Sequence, residues 1–157
     1  MERQLFNSND AQNAKLAELF VTIGDRRYSM LHAKNFEANA NLSSAKVARL
    51  GGIIDGRKAN SMEIKLSMTV YKCSDMFDEL IETFKNTGVL PTFDVQVTQE
   101  DKTSSVGRST KVYTGCVIDG NVLLSMFDAE GEFIEQTIEA YAMDFNTAEK
   151  YTTPDYI

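Results

Sequence analysis

Apolar and polar residues alternate most cleanly between Met62 and Val70, where Met62, Ile64, Leu66, Met68 and Val70 interleave with Glu63, Lys65, Ser67 and Thr69. A period of two sustained over this stretch predicts a half-buried β-strand. The same alternation sets Phe36, Ala38, Ala40 and Leu42 against Glu37, Asn39 and Asn41, at the end of an extended stretch that starts near Tyr28. It also sets Phe93, Val95 and Val97 against Asp94, Gln96 and Thr98. A strand is expected from Glu18 to a Gly24-Asp25 turn, and further extended stretches over 111–119, 122–127 and 133–145, with turn signals at Asp119-Gly120-Asn121 and Ala129-Glu130-Gly131. The period changes once. Met76, Phe77, Leu80, Ile81 and Phe84 follow helical spacing, with Ser74 placed to cap the start and Gly88 just past the end, which predicts a single amphipathic helix over 75–87.

The pattern therefore predicts a mainly β chain of about six or seven strands with one flanking α-helix. Residues 1–17, rich in Asn, Gln and Ala, read as an N-terminal arm, 18–150 as the β domain and 151–157 as a C-terminal tail. Residues 43–60 are small, polar and glycine-punctuated, marking a long loop or an extended hairpin. A strand of this length leaves a long edge of unpaired amides and carbonyls, and one helix cannot cover every edge. Two solutions stay open at this point: a monomeric sandwich with protected edges, or edge pairing between identical copies that closes into a ring whose sheets form one barrel.

Composition narrows the function classes. The 157 residues fit one ordinary domain. The formal net charge of -7, with 16 Lys and Arg against 23 Asp and Glu, argues against a protein that grips nucleic acid by neutralising phosphates. No apolar run is long enough to span a bilayer, and the polar start lacks a signal-like segment, so an unexported soluble chain with no membrane anchor is expected. Cys73 and Cys116 are too few for a disulfide framework. The charge is uneven: after Asp119 the only base is Lys150, while Lys46, Arg49, Arg57 and Lys58 cluster around Asp55 and the turn glycines Gly51, Gly52 and Gly56. Such bipolarity suits head-to-tail association, with the basic loop meeting the acidic region after Asp119 of a neighbouring copy.

Motifs for chemistry are absent. His32 is the only histidine, no nucleophile elbow occurs, and the glycines match no phosphate-binding loop. Asp128, Glu130 and Glu132 could hold calcium weakly but read as a solvated turn. No catalytic residue, cofactor or metal site is expected, and the chain does not read as an enzyme.

Several strings, taken in order, carry a resemblance: Lys34-Asn35-Phe36-Glu37-Ala38-Asn39 before the long loop, Gly56-Arg57-Lys58 at its end, and Thr69-Val70-Tyr71-Lys72 before the helix. Phe93 with Gln96, Asp101-Lys102, Gly107-Arg108, Asp144-Phe145 and Glu149-Lys150 continue it. Together they resemble the XkdM-like phage tail-tube proteins of contractile tails, a family that includes PBSX-type defective prophages and phage-derived bacteriocin particles. The resemblance implies a β-sandwich or barrel subunit assembled as hexameric rings, stacked into a hollow tube and joined into a continuous β-barrel. It implies self-association, a surrounding sheath, baseplate and tail-terminator partners, and a place in the virion tail after assembly in the bacterial host cytoplasm. DNA passes through such a tube without specific binding. By that analogy the segment holding Lys46, Arg49, Gly51, Gly52, Gly56, Arg57 and Lys58 is the loop that reaches a neighbouring subunit or ring. A lumen past which DNA slides should be acidic and small-polar, which makes Glu37, Asn39, Asn41, Glu63, Ser67, Thr69, Asp94, Gln96, Glu135, Thr137 and Glu139 the lumen candidates. The alternative is a monomeric β-barrel that binds a ligand or peptide.

Overall fold

The computed structural model describes residues 3–157. The described residues form eight strands and one α-helix: β1 (Ala17–Ile23), β2 (Arg26–Ser29), β3 (Ala33–Val47), β4 (Gly56–Tyr71), α1 (Met76–Thr87), β5 (Phe93–Glu100), β6 (Arg108–Asp119), β7 (Glu135–Ala142) and β8 (Asp144–Glu149). They make an antiparallel sheet in the order β2-β1-β5-β6-β7-β4-β3, with β8 paired to β6. The sheet is not closed, because β2 and β3 end it without pairing to each other.

Strand β6 divides the sheet into two halves. Its first part pairs with β5 and β8, and its last residues, Val117 to Asp119, pair with β7. The change of partner falls at Gly115, whose φ of +64° lies in the left-handed region, opposite the break between β7 and β8 at Met143. The Met143 amide donates to the Thr114 carbonyl at 3.0 Å, and the Gly115 amide donates to Asp94 Oδ1 at 3.1 Å. A Cβ added at Gly115 would stand 3.0 Å from both Cβ and Cγ of Met143. Gly115→Ala should therefore lose about 1–3 kcal/mol through backbone strain and crowding, seen as a lower urea midpoint at unchanged slope.

Both halves enclose one core. Val21 of β1 and Phe93 and Val95 of β5 share it with Leu66, Met68 and Val70 of β4, Ile138 and Ala140 of β7, and Met76, Phe77 and Leu80 of α1. The helix is fixed at its ends by local chemistry. The N-cap position is Asp75, one residue after the Ser74 expected there, and its side chain makes no cap hydrogen bond; Ser74 Oγ instead accepts from the Met76 amide at 3.2 Å, and Gly88, at φ +77°, donates to the Phe84 carbonyl at 2.8 Å. Phe77 meets Phe93 edge-on at 5.9 Å, which seats the helix on the sheet.

Several expectations change. The stretch over 28–42 is two strands, β2 and β3, separated at Met30–His32. Residues 43–60, where the sequence leaves a long loop and an extended hairpin both open, are the distal part of the β3–β4 hairpin, and only 48–55 lie outside strands. Residues 122–127 form no strand: Val122 packs against the core, but no described strand pairs with the stretch, and Leu124, Met126 and Phe127 stay exposed. The stretch over 133–145 is split at Met143 because β7 belongs to one half of the sheet and β8 to the other.

Candidate functional site

Strands β3, β4, β7 and the end of β6 present one continuous polar face, opposite the core. In register across it run Asn35, Thr69 and Thr137; then Glu37, Ser67, Glu139 and Asp119; then Asn39, Lys65, Tyr141 and Val117; and Asn41 with Glu63. Period two dictates this on the two central strands, where Lys65, Ser67, Thr69, Thr137 and Glu139 each lie between buried neighbours such as Leu66, Met68, Ile138 and Ala140. The face is internally bonded. The hydroxyls of Thr69 and Thr137 lie 3.1 Å apart, the Thr69 amide donates to Asn35 Oδ1 at 3.2 Å, and Asn39 Nδ2 donates to Glu37 at 2.9 Å. Lys65 approaches Glu139 at 4.0 Å. At the margin Lys34 donates to Glu135 at 2.8 Å, and that carboxylate raises the ammonium's pKa above its ordinary value. Five acids, Glu37, Glu63, Asp119, Glu135 and Glu139, thus face Lys65 and Lys34.

Nine of the eleven lumen candidates, Glu37, Asn39, Asn41, Glu63, Ser67, Thr69, Glu135, Thr137 and Glu139, come together on this face. Asp94 and Gln96 do not. They lie on β5 in the other half of the sheet, beside β1, and Asp94 is engaged at the Gly115 bend. Alternation along a single strand tells inside from outside but not which half of a sheet the strand joins.

The second feature is the hairpin. Support from β7 stops at the Ile64–Ala142 pair, and beyond it β3 and β4 continue as a two-stranded ribbon, interrupted by one register shift between Ser43 and Ser44. The tip is built rather than slack. The Arg49 guanidinium donates twice to the Ile54 carbonyl, at 3.1 and 2.8 Å, with Gly51 at φ +78° making the turn. Arg57 donates to the Ser44 hydroxyl and carbonyl at 3.1 and 3.0 Å, and Lys46 stands 3.9 Å from Asp55. Of the basic residues predicted to reach a neighbour, Arg49 and Arg57 therefore shape the hairpin itself. Sequence reading missed Leu50, Ile53 and Ile54, which the tip holds in solvent; Leu50 and Ile53 are fully exposed. The signal was present as three large apolar residues inside a stretch otherwise read as polar.

At the end of the β5–β6 connection the first and last described segments meet. Asp10 is buried and accepts from the Ser105 amide at 2.9 Å, from the hydroxyls of Ser105 and Ser104 at 2.8 and 3.2 Å, and from the Tyr156 hydroxyl. Asp101 likewise accepts from Thr103 and from the Asn13 amide. The Tyr156 hydroxyl, followed by the donors of Ser105, pulls the Asp10 pKa down to about 2. A carboxyl depressed in this way stabilises the clamp fully above its ordinary value of 3.8, and that contribution fades as pH falls from there through about 2. Trypsin cleavage after Lys15 should accordingly be slow at neutral pH and accelerate in Asp10→Asn, with the globular core left intact.

A cleft of about 690 Å³ opens between β1 and β3, lined by Leu19, Phe20, Met30, Phe36, Val97 and Tyr113 among others. It is the mouth between the two sheet halves, not the interior of a closed barrel. Among the described residues no group of His, Cys, Asp and Glu is arranged to hold a metal ion, and Asp128 instead accepts the Glu130 amide within a turn. No helix among them is long and apolar enough to cross a membrane.

The fold is shared with chains of contractile injection systems. One from the six-fold symmetrised baseplate of the anti-feeding prophage superposes with a TM-score of 0.59 at 6% identity, over 94% of this chain and 97% of that one. One from the sheath/tube terminator of an extracellular contractile injection system, in its extended state, gives 0.61 at 10% identity, over 83% and 93%. One from the extended sheath-tube complex of such a system gives 0.59 at 9% identity, over 82% and 86%. No curated protein matches the sequence significantly. A family model described as phage tail tube protein matches residues 4–149, and the chain belongs to that family. It is a structural protein of a tail tube, a component of a phage tail or phage-derived particle.

Proposed function

We propose that this chain is an XkdM-like subunit of the inner tube of a contractile tail or phage-derived particle. Six copies form a ring, rings stack into a hollow tube, and the sheet halves carrying the polar face join edge to edge into one continuous barrel that lines the lumen. The tube is inert chemically: it works without a cofactor, stiffens the tail, and conducts DNA when a surrounding sheath contracts. Sheath, baseplate and tail-terminator proteins are its other partners, and it assembles in the cytoplasm of the bacterial host.

The observation that carries this reading is the outer edge of β3. It ends the sheet and runs fifteen residues, from Ala33 to Val47, with no proline and, among the described residues, no strand beside it. An edge of roughly 50 Å is a hazard in a monomer and an instruction in an assembly. It borders the polar face directly, so pairing it with another copy extends that face around a ring. The acidity of the face supports a lumen wall, because a surface without clustered bases gives phosphates nothing to displace their counterions.

Size-exclusion chromatography and negative-stain microscopy of the purified chain test this. Six-membered rings or hollow filaments are expected. A 17.6 kDa monomer that persists at high concentration and co-purifies with a ligand in the β1–β3 cleft would instead establish a binding module.

A further inference from the structure

The tip of the hairpin and the connection between β6 and β7 each hold several large apolar side chains in solvent. We propose that they meet: Leu50, Ile53 and Ile54 of one copy dock against Leu124, Met126, Phe127 and Phe133 of a second copy, with charge setting the orientation. The proposal rests on the ring-and-tube reading and names the contact that holds copies together away from the sheet edge.

Both surfaces are apolar where a monomer has no reason to be. Leu50 and Ile53 are completely exposed, Phe127 is 94% exposed and Phe133 76%. Clustered apolar exposure of this kind marks an interaction site. Their charges are complementary: Lys46, Arg49, Arg57 and Lys58 surround the first with Asp55 the only acid, whereas Asp119, Asp128, Glu130 and Glu132 surround the second with no base between them. Both are also already shaped. The Arg49 bonds to the Ile54 carbonyl fix the tip. In the connection, the Gly131 amide donates to the Asp128 carbonyl at 3.1 Å, and Phe133 stands edge-on to Tyr71 at 6.3 Å. Little ordering remains to oppose association. The ribbon carries the tip clear of the body: from Ile64, where β7 ends its support, back to Gly56 is roughly 25 Å of extended chain.

Because Arg49 and Arg57 are occupied within the hairpin, the apolar residues dominate and the charges orient. Leu50→Ser/Ile53→Ser/Ile54→Ser should leave the monomer's circular dichroism and melting temperature unchanged, since these side chains are solvent-exposed, while raising the concentration needed for tubes at least tenfold. Lys58→Glu should raise it only several-fold, and the difference should vanish at high salt. In a Cys73→Ser background, tubes copolymerised from Leu50→Cys and Phe127→Cys chains should give an interchain disulfide dimer on oxidation, absent when either cysteine is missing.

Triple-serine chains that polymerise like wild type would overturn the docking, as would normal copolymer tubes that yield no cross-link at this pair or at Ile53→Cys with Leu124→Cys. Triple-serine tubes that form normally but no longer recruit sheath would overturn it in favour of a sheath contact. Failure of the unmodified chain to form rings or tubes would strike the underlying reading instead, and is seen in the wild-type control alone.

Discussion

Tubes built from a Glu37→Lys/Glu63→Lys/Glu139→Lys chain will hold DNA that wild-type tubes release. The three carboxylates share the polar face of β3, β4 and β7, all pointing away from the core, so the fold loses little beyond the exposed 2.9 Å hydrogen bond from Asn39 to Glu37 and the weak 4.0 Å approach of Lys65 to Glu139. Each copy changes by six charge units on one surface, and a ring multiplies that by its number of copies. Six to ten phosphate contacts already make affinity fall about 10³–10⁵-fold between 50 and 200 mM salt. The expected signature is retention of DNA in the variant tube at low salt, released steeply as salt rises, with tube morphology preserved. Fluorescent DNA co-sedimented with tubes reads this out. Equal release from variant and wild-type tubes would remove this face from the lumen.

The largest stability effect should come from Phe77→Ala. Phe77 is essentially inaccessible, stacks edge-on against Phe93, and with Met76 and Leu80 forms the helical side of the core. Truncating a buried phenylalanine costs about 3–5 kcal/mol, a large share of the 5–15 kcal/mol typical of a domain. The Lys72–Asp78 pair, at 2.7 Å and half-buried, would remain to tether the first turn, so the helix should loosen rather than leave. Guanidinium denaturation should show the midpoint collapse, and purified protein should aggregate more readily as the loosened helix exposes the sheet beneath it. A loss below about 1 kcal/mol would mean the helix is not part of the cooperative unit.

What could be read from the sequence was whatever burial writes into it. β4 is buried on one face only, so its apolar residues mark every second position, and α1 packs one stripe on that sheet, so its spacing turns helical. Over 43–60 the sequence could not decide between loop and hairpin for the same reason: a ribbon with no core face has nothing to alternate against, and its hydrogen bonds leave no trace in composition. Residues 122–127 erred in the opposite direction, since apolar content suggested a strand where no neighbouring strand exists to pair with it. The break at Met143 carries no Gly or Pro of its own. Its cause, Gly115, sits on another strand and is visible only once the two are adjacent. Likewise Asp10 looked like part of a featureless arm because its donors, Ser104, Ser105 and Tyr156, lie 94 or more positions away.

The sheet order also sets a timetable for synthesis. The β1–β2 and β3–β4 hairpins can close as soon as they are made, yet β1 gains its other neighbour only when residues 93–100 exist, and β4 only when residues 135–142 do. Through that interval the nascent chain carries two preformed hairpins whose inner edges are as open as the outer ones. Long-range strand pairing is slow, and unpaired edges are sticky. A cell making many copies at once must therefore keep neighbouring nascent chains apart until β7 arrives, and translation pauses or chaperones acting before residue 135 should govern the yield of soluble subunit.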